Sequence, residues 1–279
     1  MSDFAIHATG LEGLIAVSAK SAHSFPKHSH DEFGIGLLVA GGQLSASGRG
    51  QVEASTGDII TVNPGEVHDG MPISGRPRRW HMLYLAPSLL TSLAAGISQA
   101  RCDALEFEAP VLSSRLRSRQ FEQAWTAALG SARDAGLLQE ETLLSLMAGM
   151  LQPAIPERRP AIGSGIERAK ASIYDNVSDN PSLAELAKTA DLSRFQTLRA
   201  FTRATGLTPH AYILQQRVLK ARRMIASGNT LATVAADCGF ADQSHMTREF
   251  SRRYGMPPAR FQRAMLGCNP VQDRTPKHG

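Results

Sequence analysis

The sequence predicts a multidomain α+β protein. An N-terminal β-barrel with a helical pair is followed by an all-α C-terminal domain with two helix-turn-helix motifs. Short apolar runs separated by turn signals fill residues 6–85 and are typical of an all-β barrel or sandwich. Five prolines and glycines fall within residues 153–165, a density that predicts a linker. Beyond the linker, short segments with helix-cap residues predict a helical domain.

The composition of the 279 residues excludes several classes of protein. Hydrophobic residues make up 42% and charged residues 20% of the chain, as in ordinary globular proteins. No apolar run reaches the roughly 18 residues of a membrane span, and the first residues lack the pattern of a secretory signal. Cys102, Cys238 and Cys268 have neither the number nor the spacing of a disulfide framework or a metal pair. We therefore expect a reduced, cytoplasmic protein without a membrane partner.

The formal net charge of +5 is unevenly distributed along the chain. Residues 1–164 contain 13 Lys and Arg against 16 Asp and Glu, whereas residues 165–279 contain 17 against 9. Such asymmetry indicates that the C-terminal half meets a polyanion. Because most of these basic residues lie within helical sequence and not in a tail, they favour a folded nucleic-acid binder.

Several N-terminal segments are predicted to be regular elements. Residues 34–39, 58–62 and 80–85 are short apolar runs that end at glycine or proline, which predicts strands. Residues 116–132 and 137–151 carry apolar positions three and four apart, which predicts two helices. One face of the second helix is predicted to hold Leu138, Leu144, Met147 and Leu151. This helical pair either packs on the barrel or forms a dimer interface.

Two C-terminal segments repeat the same plan of a short helix, a tight turn and a second helix. The first covers residues 183–205 with its turn at Asp191-Leu192, and the second covers residues 231–254 with its turn at Gly239-Phe240. A capping box, Ser182-x-x-Glu185, opens the first repeat. This is helix-turn-helix geometry, in which the second helix enters the major groove of DNA with its N-terminus first.

The amphipathic pattern of each second helix separates a buried face from an exposed face. Phe201 in the first, and Met246, Phe250 and Tyr254 in the second, are expected in the core, with Leu198 partly or wholly buried. Exposed Arg, Gln and Thr side chains suit base edges, whereas Arg203, Arg252 and Arg253 are better placed for phosphates. The predicted DNA-binding residues are Arg194, Phe195, Gln196, Leu198, Arg199, Arg203, Gln243, Ser244, His245, Thr247, Arg248 and Arg252.

The C-terminal motifs resemble those of the AraC/XylS family of transcription regulators. Residues 217–225 look like the linker helix of that family, and residues 239–261 resemble its signature. Small departures occur at Met246, where an aromatic residue is common, and at Thr197, where Leu is common. The resemblance implies a sequence-specific regulator that places two recognition helices in successive major grooves of a double-stranded operator.

The N-terminal half resembles the cupin-like effector domain common in the same family. His28, His30 and Glu32 alternate along a predicted strand and therefore share a face, and His68 follows a later strand. With Trp80, these residues are the predicted effector-binding site for a small molecule.

The resulting domain boundaries are 1–110 for the effector-binding barrel and 111–152 for the helical pair. They continue with 153–165 for the linker, 166–265 for the DNA-binding domain and 266–279 for a disordered tail.

The histidines leave three interpretations open. They line a metal-free pocket, or they hold a divalent metal through His28, His30 and His68. In the third interpretation they have only a structural role in turns and at strand ends. Metal-binding cupins carry a Glu four residues after the second His, where this sequence has Gly34. That departure speaks against the alternative function, a metal-dependent cupin enzyme fused to a DNA-binding domain.

We expect no enzymatic activity and no cofactor. RNA polymerase and a second copy of the chain are further candidate partners.

Overall fold

The computed structural model of the protein describes residues 3–47, 49–95, 105–130, 135–153 and 162–267. Within these ranges a β-rich N-terminal domain with helices precedes an all-helical C-terminal domain, as the sequence predicts. None of the helices in these ranges is long and apolar enough to cross a membrane. Most of the predicted linker and tail, together with Cys102 and Cys268, lies outside the described residues.

Short strands and three helices make up the described part of the N-terminal domain. The predicted strands at 34–39, 58–62 and 80–85 correspond to the observed strands Phe33–Ala40, Ile59–Val62 and Arg78–Leu85. The helices are α1 (Pro87–Ala95), α2 (Arg115–Ala128) and α3 (Ala135–Met147). The strands are β1 (Asp3–His7), β2 (Leu14–Ser21), β3 (Phe25–His28), β4 (Phe33–Ala40), β5 (Gly42–Ser47), β6 (Gly50–Ser55), β7 (Ile59–Val62), β8 (His68–Pro72), β9 (Arg78–Leu85), β10 (Leu105–Phe107), β11 (Val111–Leu112) and β12 (Leu151–Pro153).

The strands pair antiparallel in two main sheets. The six-stranded sheet has the order β1-β2-β9-β4-β7-β11, and the four-stranded sheet has the order β3-β8-β5-β6. Strands β10 and β12 form a separate pair. In the larger sheet the register places Val17 opposite Met82 and Ile35 opposite Leu83. Strand β9 thus lies in the middle of the larger sheet, where both of its faces are covered.

The two faces of the six-stranded sheet belong to different cores. On β9, Leu83 and Leu85 pack with Phe121 and the other buried residues of α1–α3. The alternate residues Trp80 and Met82 belong to a core that also contains residues of the C-terminal domain. Successive strand side chains point to opposite faces, so a sheet covered on both sides requires continuous apolar runs such as 80–85.

Helices α2 and α3 pack against each other, but the predicted apolar face of α3 is wrong in part. Leu138 is 52% exposed, whereas Leu143, Leu146 and Met147 are buried. The buried residues recur three and four positions apart, so the inward face is rotated relative to the prediction. Leu151 does not continue the helix, because α3 ends at Met147 and Leu151 begins β12.

The C-terminal domain consists of seven helices in its described part, and both predicted helix-turn-helix repeats are present. The capping box at Ser182 and Glu185 is confirmed, and Thr208 caps the helix that begins at Pro209. The helices are α4 (Ile162–Asp175), α5 (Leu183–Ala190), α6 (Arg194–Thr205), α7 (Pro209–Ala226), α8 (Leu231–Asp237), α9 (Gln243–Tyr254) and α10 (Pro258–Gly267).

Helix α4 begins inside the segment predicted as a linker, so the final residues of that segment are helical. Gly165 was one of the residues that predicted a linker, but it lies in α4, where this helix crosses the end of α5. A Cβ at this position would lie 2.3 Å from the carbonyl oxygen of Ala190. The glycine therefore permits close helix packing and does not mark a loop.

The two helix-turn-helix units are stabilised by different cores. Ile166, Leu186, Phe201 and Ile213 form the core of the first unit. The core of the second unit contains Val234, Met246 and Phe250, and it continues into the N-terminal domain through Phe4 and Trp80. The second unit is therefore packed directly on the β-rich domain.

The turn between α8 and α9 packs closely against the segment between α4 and α5 of the same domain, and this close approach can be tested. Gly239 has φ +73°, and a Cβ there would lie 2.5 Å from the carbonyl oxygen of Ser178. We expect Gly239→Ala to lower the free energy of unfolding by more than the roughly 1–2 kcal/mol of a left-handed alanine. Gly228→Ala is the matched control, because φ is +86° but the nearest atom, on Leu266, is 3.6 Å away. Equal losses for both variants in urea unfolding would show that the close approach is unimportant.

Candidate functional site

Helices α6 and α9 present the predicted DNA-binding residues at the surface. Each is the second helix of its repeat, and each begins at a capped N-terminus, with Ser193 and Asp242 as the cap residues. Both helices carry arginine in the last turn. Two of the predicted residues, His245 and Thr247, are partly exposed. The others are exposed: Arg194, Phe195, Gln196, Leu198, Arg199, Arg203, Gln243, Ser244, Arg248 and Arg252.

The expected burial of Leu198 is wrong, because its side chain is 37% exposed. Thr197 takes the inward position instead, fully buried, and its hydroxyl donates to the carbonyl of Ser193 at 2.9 Å. Gln196 has a structural contact that the sequence analysis did not anticipate. Its side-chain oxygen accepts from the backbone N–H of Ser193 at 3.0 Å, which completes a capping box.

Arg253 was expected to face phosphates, and this expectation is wrong. Its side chain is 4% exposed and points inward. Its Nε donates to Gln215 Oε1 at 3.1 Å, and its guanidinium pairs with Glu249. Arg252, one residue earlier, is half exposed and also bonds Glu249, at 2.7 Å. The alternation follows from helix geometry, since adjacent residues lie about 100° apart around the axis.

The predicted effector-binding residues line one cavity, which lies between the two sheets and reaches the C-terminal domain. His28, His30, Glu32, His68 and Trp80 all border it. Its volume is about 140 Å³, comparable to cavities of about 150 Å³ that accept a benzene-sized ligand. The C-terminal domain contributes Arg222, Arg253, Tyr254, Met256 and Phe261 to the lining.

The residues predicted as one strand take a different path to the same cavity. His28 ends β3, and His30 and Glu32 lie in the connection to β4. His68 begins β8, next to His28 in the sheet. Tyr84 also lines the cavity, whereas His81 lies outside it and stacks on Trp125 with ring centroids 4.3 Å apart.

The three cavity histidines share one hydrogen-bonding arrangement. Nδ1 of His28, His30 and His68 lies 2.8–2.9 Å from the backbone carbonyl oxygens of residues 26, 32 and 66, respectively. A carbonyl oxygen only accepts, so each Nδ1 carries the proton. Burial lowers the pKa of all three imidazoles, which are therefore neutral. Each Nε2 is consequently left as an acceptor.

The imidazoles are close together, with ring centroids 4.5, 5.1 and 6.3 Å apart. Nevertheless, no group of three His, Cys, Asp or Glu side chains in the described part of the chain has the arrangement of a metal site. Gly34, where metal-binding cupins carry Glu, lies against this cluster. A Cβ there would be 3.5 Å from the His30 ring and 3.1 Å from Met82.

A buried ion pair joins the two domains at the cavity wall. Glu32 pairs with Arg222 of α7, and their side chains are 16% and 12% exposed. Burial opposes the charge on Arg222, but the Glu32 carboxylate and nearby tyrosines outweigh it and raise the pKa of the guanidinium. Burial also raises the pKa of Tyr84 to about 12 and that of Tyr254 further, so both hydroxyls stay protonated.

The sequence analysis missed the cavity residues that come from the C-terminal domain. One signal for Arg222 was present, because it lies between Val218 and Ile225 at helical spacing, on the buried face of α7. A charged residue on an apolar face needs a buried partner. Nothing in the sequence identified Glu32 as that partner, since the two residues are 190 positions apart.

The neutral histidines predict a specific dependence of stability on pH. Their pKa values are lowered in the folded state, whereas the ordinary pKa of 6.5 applies to the unfolded chain. As the pH falls below 6.5, the unfolded state therefore takes up protons that the folded state does not. The free energy of unfolding should fall by up to about 1.4 kcal/mol per pH unit for each such histidine.

Urea unfolding of wild type and His30→Gln between pH 7.5 and 5.5 tests this prediction. The variant should show the shallower slope below pH 6.5, because one buried imidazole is gone. His210→Gln is the control, since His210 is exposed on α7 and stays in water in both states. Identical slopes for wild type and His30→Gln would contradict the prediction.

Two family models match the chain. An AraC-like ligand binding domain matches residues 13–147, and a helix-turn-helix domain matches residues 186–264. Among curated proteins, the HTH-type transcriptional activator RhaS of Pectobacterium atrosepticum is 23% identical over 254 residues, 88% of this chain and 90% of that protein. The uncharacterized HTH-type transcriptional regulator YbfI of Bacillus subtilis is 24% identical over 236 residues, 80% of this chain and 81% of that protein.

Among solved structures, wild-type ToxT from Vibrio cholerae has the same fold. It superposes with a TM-score of 0.54 at 11% identity and covers 96% of each chain. The matched families are those of transcription regulators and not of enzymes. The chain belongs to the AraC family of transcriptional regulators, with a ligand-binding N-terminal domain and a DNA-binding C-terminal domain.

Proposed function

We propose that this regulator binds a specific operator with α6 and α9 in successive major grooves, under the control of an effector bound between the two sheets. The observation that carries the proposal is the shared lining of the cavity. Residues of both domains border it, including Arg222 of α7 and Tyr254 at the end of α9. An effector in this cavity therefore touches the domain that binds DNA.

The exposed residues of the two recognition helices support sequence-specific binding. In α6, Arg194 and Arg199 are exposed, and the Arg199 guanidinium lies 5.5 Å from the ring centre of Phe195. In α9, Gln243 and Arg248 are exposed near the N-terminal half of the helix. Arg to guanine and Gln to adenine are the common bidentate contacts in the major groove.

The effector acts by favouring one arrangement of the two domains. Contacts outside the cavity hold the present arrangement, including Arg223 with Asp31 at 2.8 Å and His23 Nε2 with the carbonyl of Arg252 at 2.9 Å. A ligand that fits this arrangement better than others stabilises it, and operator affinity changes accordingly. ToxT, which shares the fold, has been solved with an unsaturated fatty acid bound, which supports an organic effector here.

Pairing of two copies through α2 and α3 is part of the proposal. Four leucines on these helices and at the end of α2 are exposed by 39–65%. Exposed apolar side chains grouped on one helical pair favour a protein partner. A dimer places two DNA-binding domains on neighbouring sites, and RNA polymerase is a further partner of the bound regulator. The four residues are Leu116, Leu129, Leu137 and Leu138.

A selection from sheared genomic DNA of the source organism tests sequence-specific binding. Fragments retained by the full-length protein should come from few loci and share two motifs about 10 base pairs apart, one for each recognition helix. Diffuse retention that disappears with salt would contradict the proposal, because phosphate contacts alone carry no sequence preference.

Arg248→Ala separates base recognition from phosphate contact. We expect it to cost about 1–3 kcal/mol of operator binding and to relax the preference at one base position. Arg203→Ala, in the last turn of α6, is the comparison and should weaken binding to all sequences alike. Both effects are measured by fluorescence anisotropy on the selected operator and on single-base variants of it. Uniform weakening by Arg248→Ala would remove Arg248 from base recognition.

A further inference from the structure

Three polar atoms in the cavity lining are buried without a hydrogen-bond partner in the described part of the chain. They are Glu32 Oε2, Arg222 Nε and the Tyr254 hydroxyl. Buried polar groups are almost always hydrogen-bonded, and each unsatisfied group is costly. Glu32, Arg222 and Tyr254, which carry these atoms, all border the cavity, so that an acid, a base and a neutral phenol lie around one space.

The histidines add acceptors to the same polar wall. Because Nδ1 of His28, His30 and His68 is engaged with backbone carbonyls, each neutral ring offers only Nε2, as an acceptor. These nitrogens and Glu32 Oε2 call for a ligand group with several donors, such as an ammonium. Arg222 Nε and the Tyr254 hydroxyl call for an acceptor, such as a carboxylate.

The remaining lining is apolar and comes from both domains. Strands β1, β2, β7 and β9 contribute aliphatic and aromatic side chains, and the region after α9 contributes Met256 and Phe261. Such a wall fits a short apolar body, and the volume of about 140 Å³ limits its size. The apolar residues from the strands include Ile6, Ile15, Val17, Ile60, Trp80 and Met82.

The charges of the lining favour a ligand without net charge. Two acidic residues, Glu32 and Asp69, and two basic residues, Arg222 and Arg253, border the cavity. Glu249, which pairs with Arg253, also pairs with Arg252, so that these additional charges are balanced as well. A ligand with a single charge adds an uncompensated charge to a buried site, which is strongly unfavourable. A ligand with one positive and one negative group keeps the site balanced.

We propose that the effector is a small zwitterion with an apolar body, of which a free amino acid with an apolar side chain is the simplest example. Its ammonium binds Glu32 Oε2 and the histidine Nε2 atoms, and its carboxylate binds Arg222 Nε and the Tyr254 hydroxyl. The inference rests on the proposed function, which locates the effector in this cavity. It adds the chemical class of the ligand.

Calorimetric titration of the full-length protein tests the ligand class. The probes are L-valine, L-leucine, L-methionine and L-phenylalanine, each with two analogues of the same body. For leucine these are 4-methylpentanoate, which lacks the ammonium, and 3-methylbutylamine, which lacks the carboxylate. At least one amino acid should bind, and its singly charged analogues should bind roughly 10- to 100-fold more weakly. Equal binding of an analogue, or no binding of any amino acid, overturns the proposal.

Isosteric variants then test the assigned contacts. Glu32→Gln should weaken binding of the amino acid roughly 10-fold or more and shift the preference toward the carboxylate-only analogue. Tyr254→Phe should weaken the two carboxylate-bearing ligands but not the amine. Asp31→Asn is the control, because its ion pair with Arg223 is exposed outside the cavity. Equal weakening of all three ligands by Glu32→Gln overturns the assignment, and this readout does not depend on a general loss of folding.

Two further measurements distinguish a wrong ligand class from a wrong proposed function. Titration with Zn²⁺ tests the metal alternative, and saturable binding that is lost in His68→Asn and blocks the amino acid overturns the zwitterion. Operator binding is measured on the same preparation. Specific DNA binding without amino-acid binding overturns only the ligand class, whereas loss of specific DNA binding by wild type overturns the proposed function itself.

Discussion

The buried ion pair between Glu32 and Arg222 is the interaction on which the relation between the two domains depends. Glu32 immediately precedes β4, and Arg222 lies on α7. The guanidinium also lies 5.5 and 5.7 Å from the ring centres of Tyr254 and Phe261. Removing one partner of such a pair leaves a buried charge uncompensated, at a cost of about 3–5 kcal/mol. The position of α7 is therefore tied to the cavity wall.

Helix α7 transmits this constraint because its side chains bond to the N-terminal domain, to the segment after α4 and to α9. Arg217 donates to the carbonyl oxygens of residues 177–179 at 2.9–3.1 Å, which fixes the segment after α4. Gln215 donates to the carbonyl of Ser29 at 2.6 Å and accepts from Arg253. The connection between β3 and β4, which carries His30 and Glu32, is thus bonded to α7, and α7 is bonded to the second recognition helix.

The architecture could be predicted from the sequence because its signals are local. Cap residues such as Ser182 and Thr208, and apolar spacing within α6 and α9, depend on neighbours a few positions away. The amphipathic pattern gave wrong predictions of burial where tertiary packing decides which side chains are buried. Leu198 and Arg253 have ordinary positions in an amphipathic pattern, but Thr197 fills the inward place in α6, and Gln215 and Glu249 provide polar partners for Arg253.

The candidate site could be predicted only for its N-terminal half. The histidine pattern identified side chains that line one cavity, although His30 and Glu32 lie in a connection and His28 and His68 lie on two different strands. The C-terminal half of the lining depends on how two domains pack, and no local pattern encodes this. Arg222 on the apolar face of α7 was a sign of a buried partner. Its identity required the tertiary structure, since Glu32 lies in the other domain.

In the proposed mechanism, the unequal cores of the two helix-turn-helix units determine how an effector acts on DNA binding. The second unit shares its core with the β-rich domain, whereas the first has a core of its own. A change in the cavity therefore reaches α9 directly through the shared core, whereas α6 approaches the N-terminal domain at its C-terminal end, where a Cβ on Gly206 would lie 3.4 Å from Val67. An operator with fixed spacing requires both recognition helices in register, so a shift of one relative to the other changes the affinity of the pair. Because linkage is reciprocal, an operator that fixes α9 and α7 must change effector affinity by the same factor.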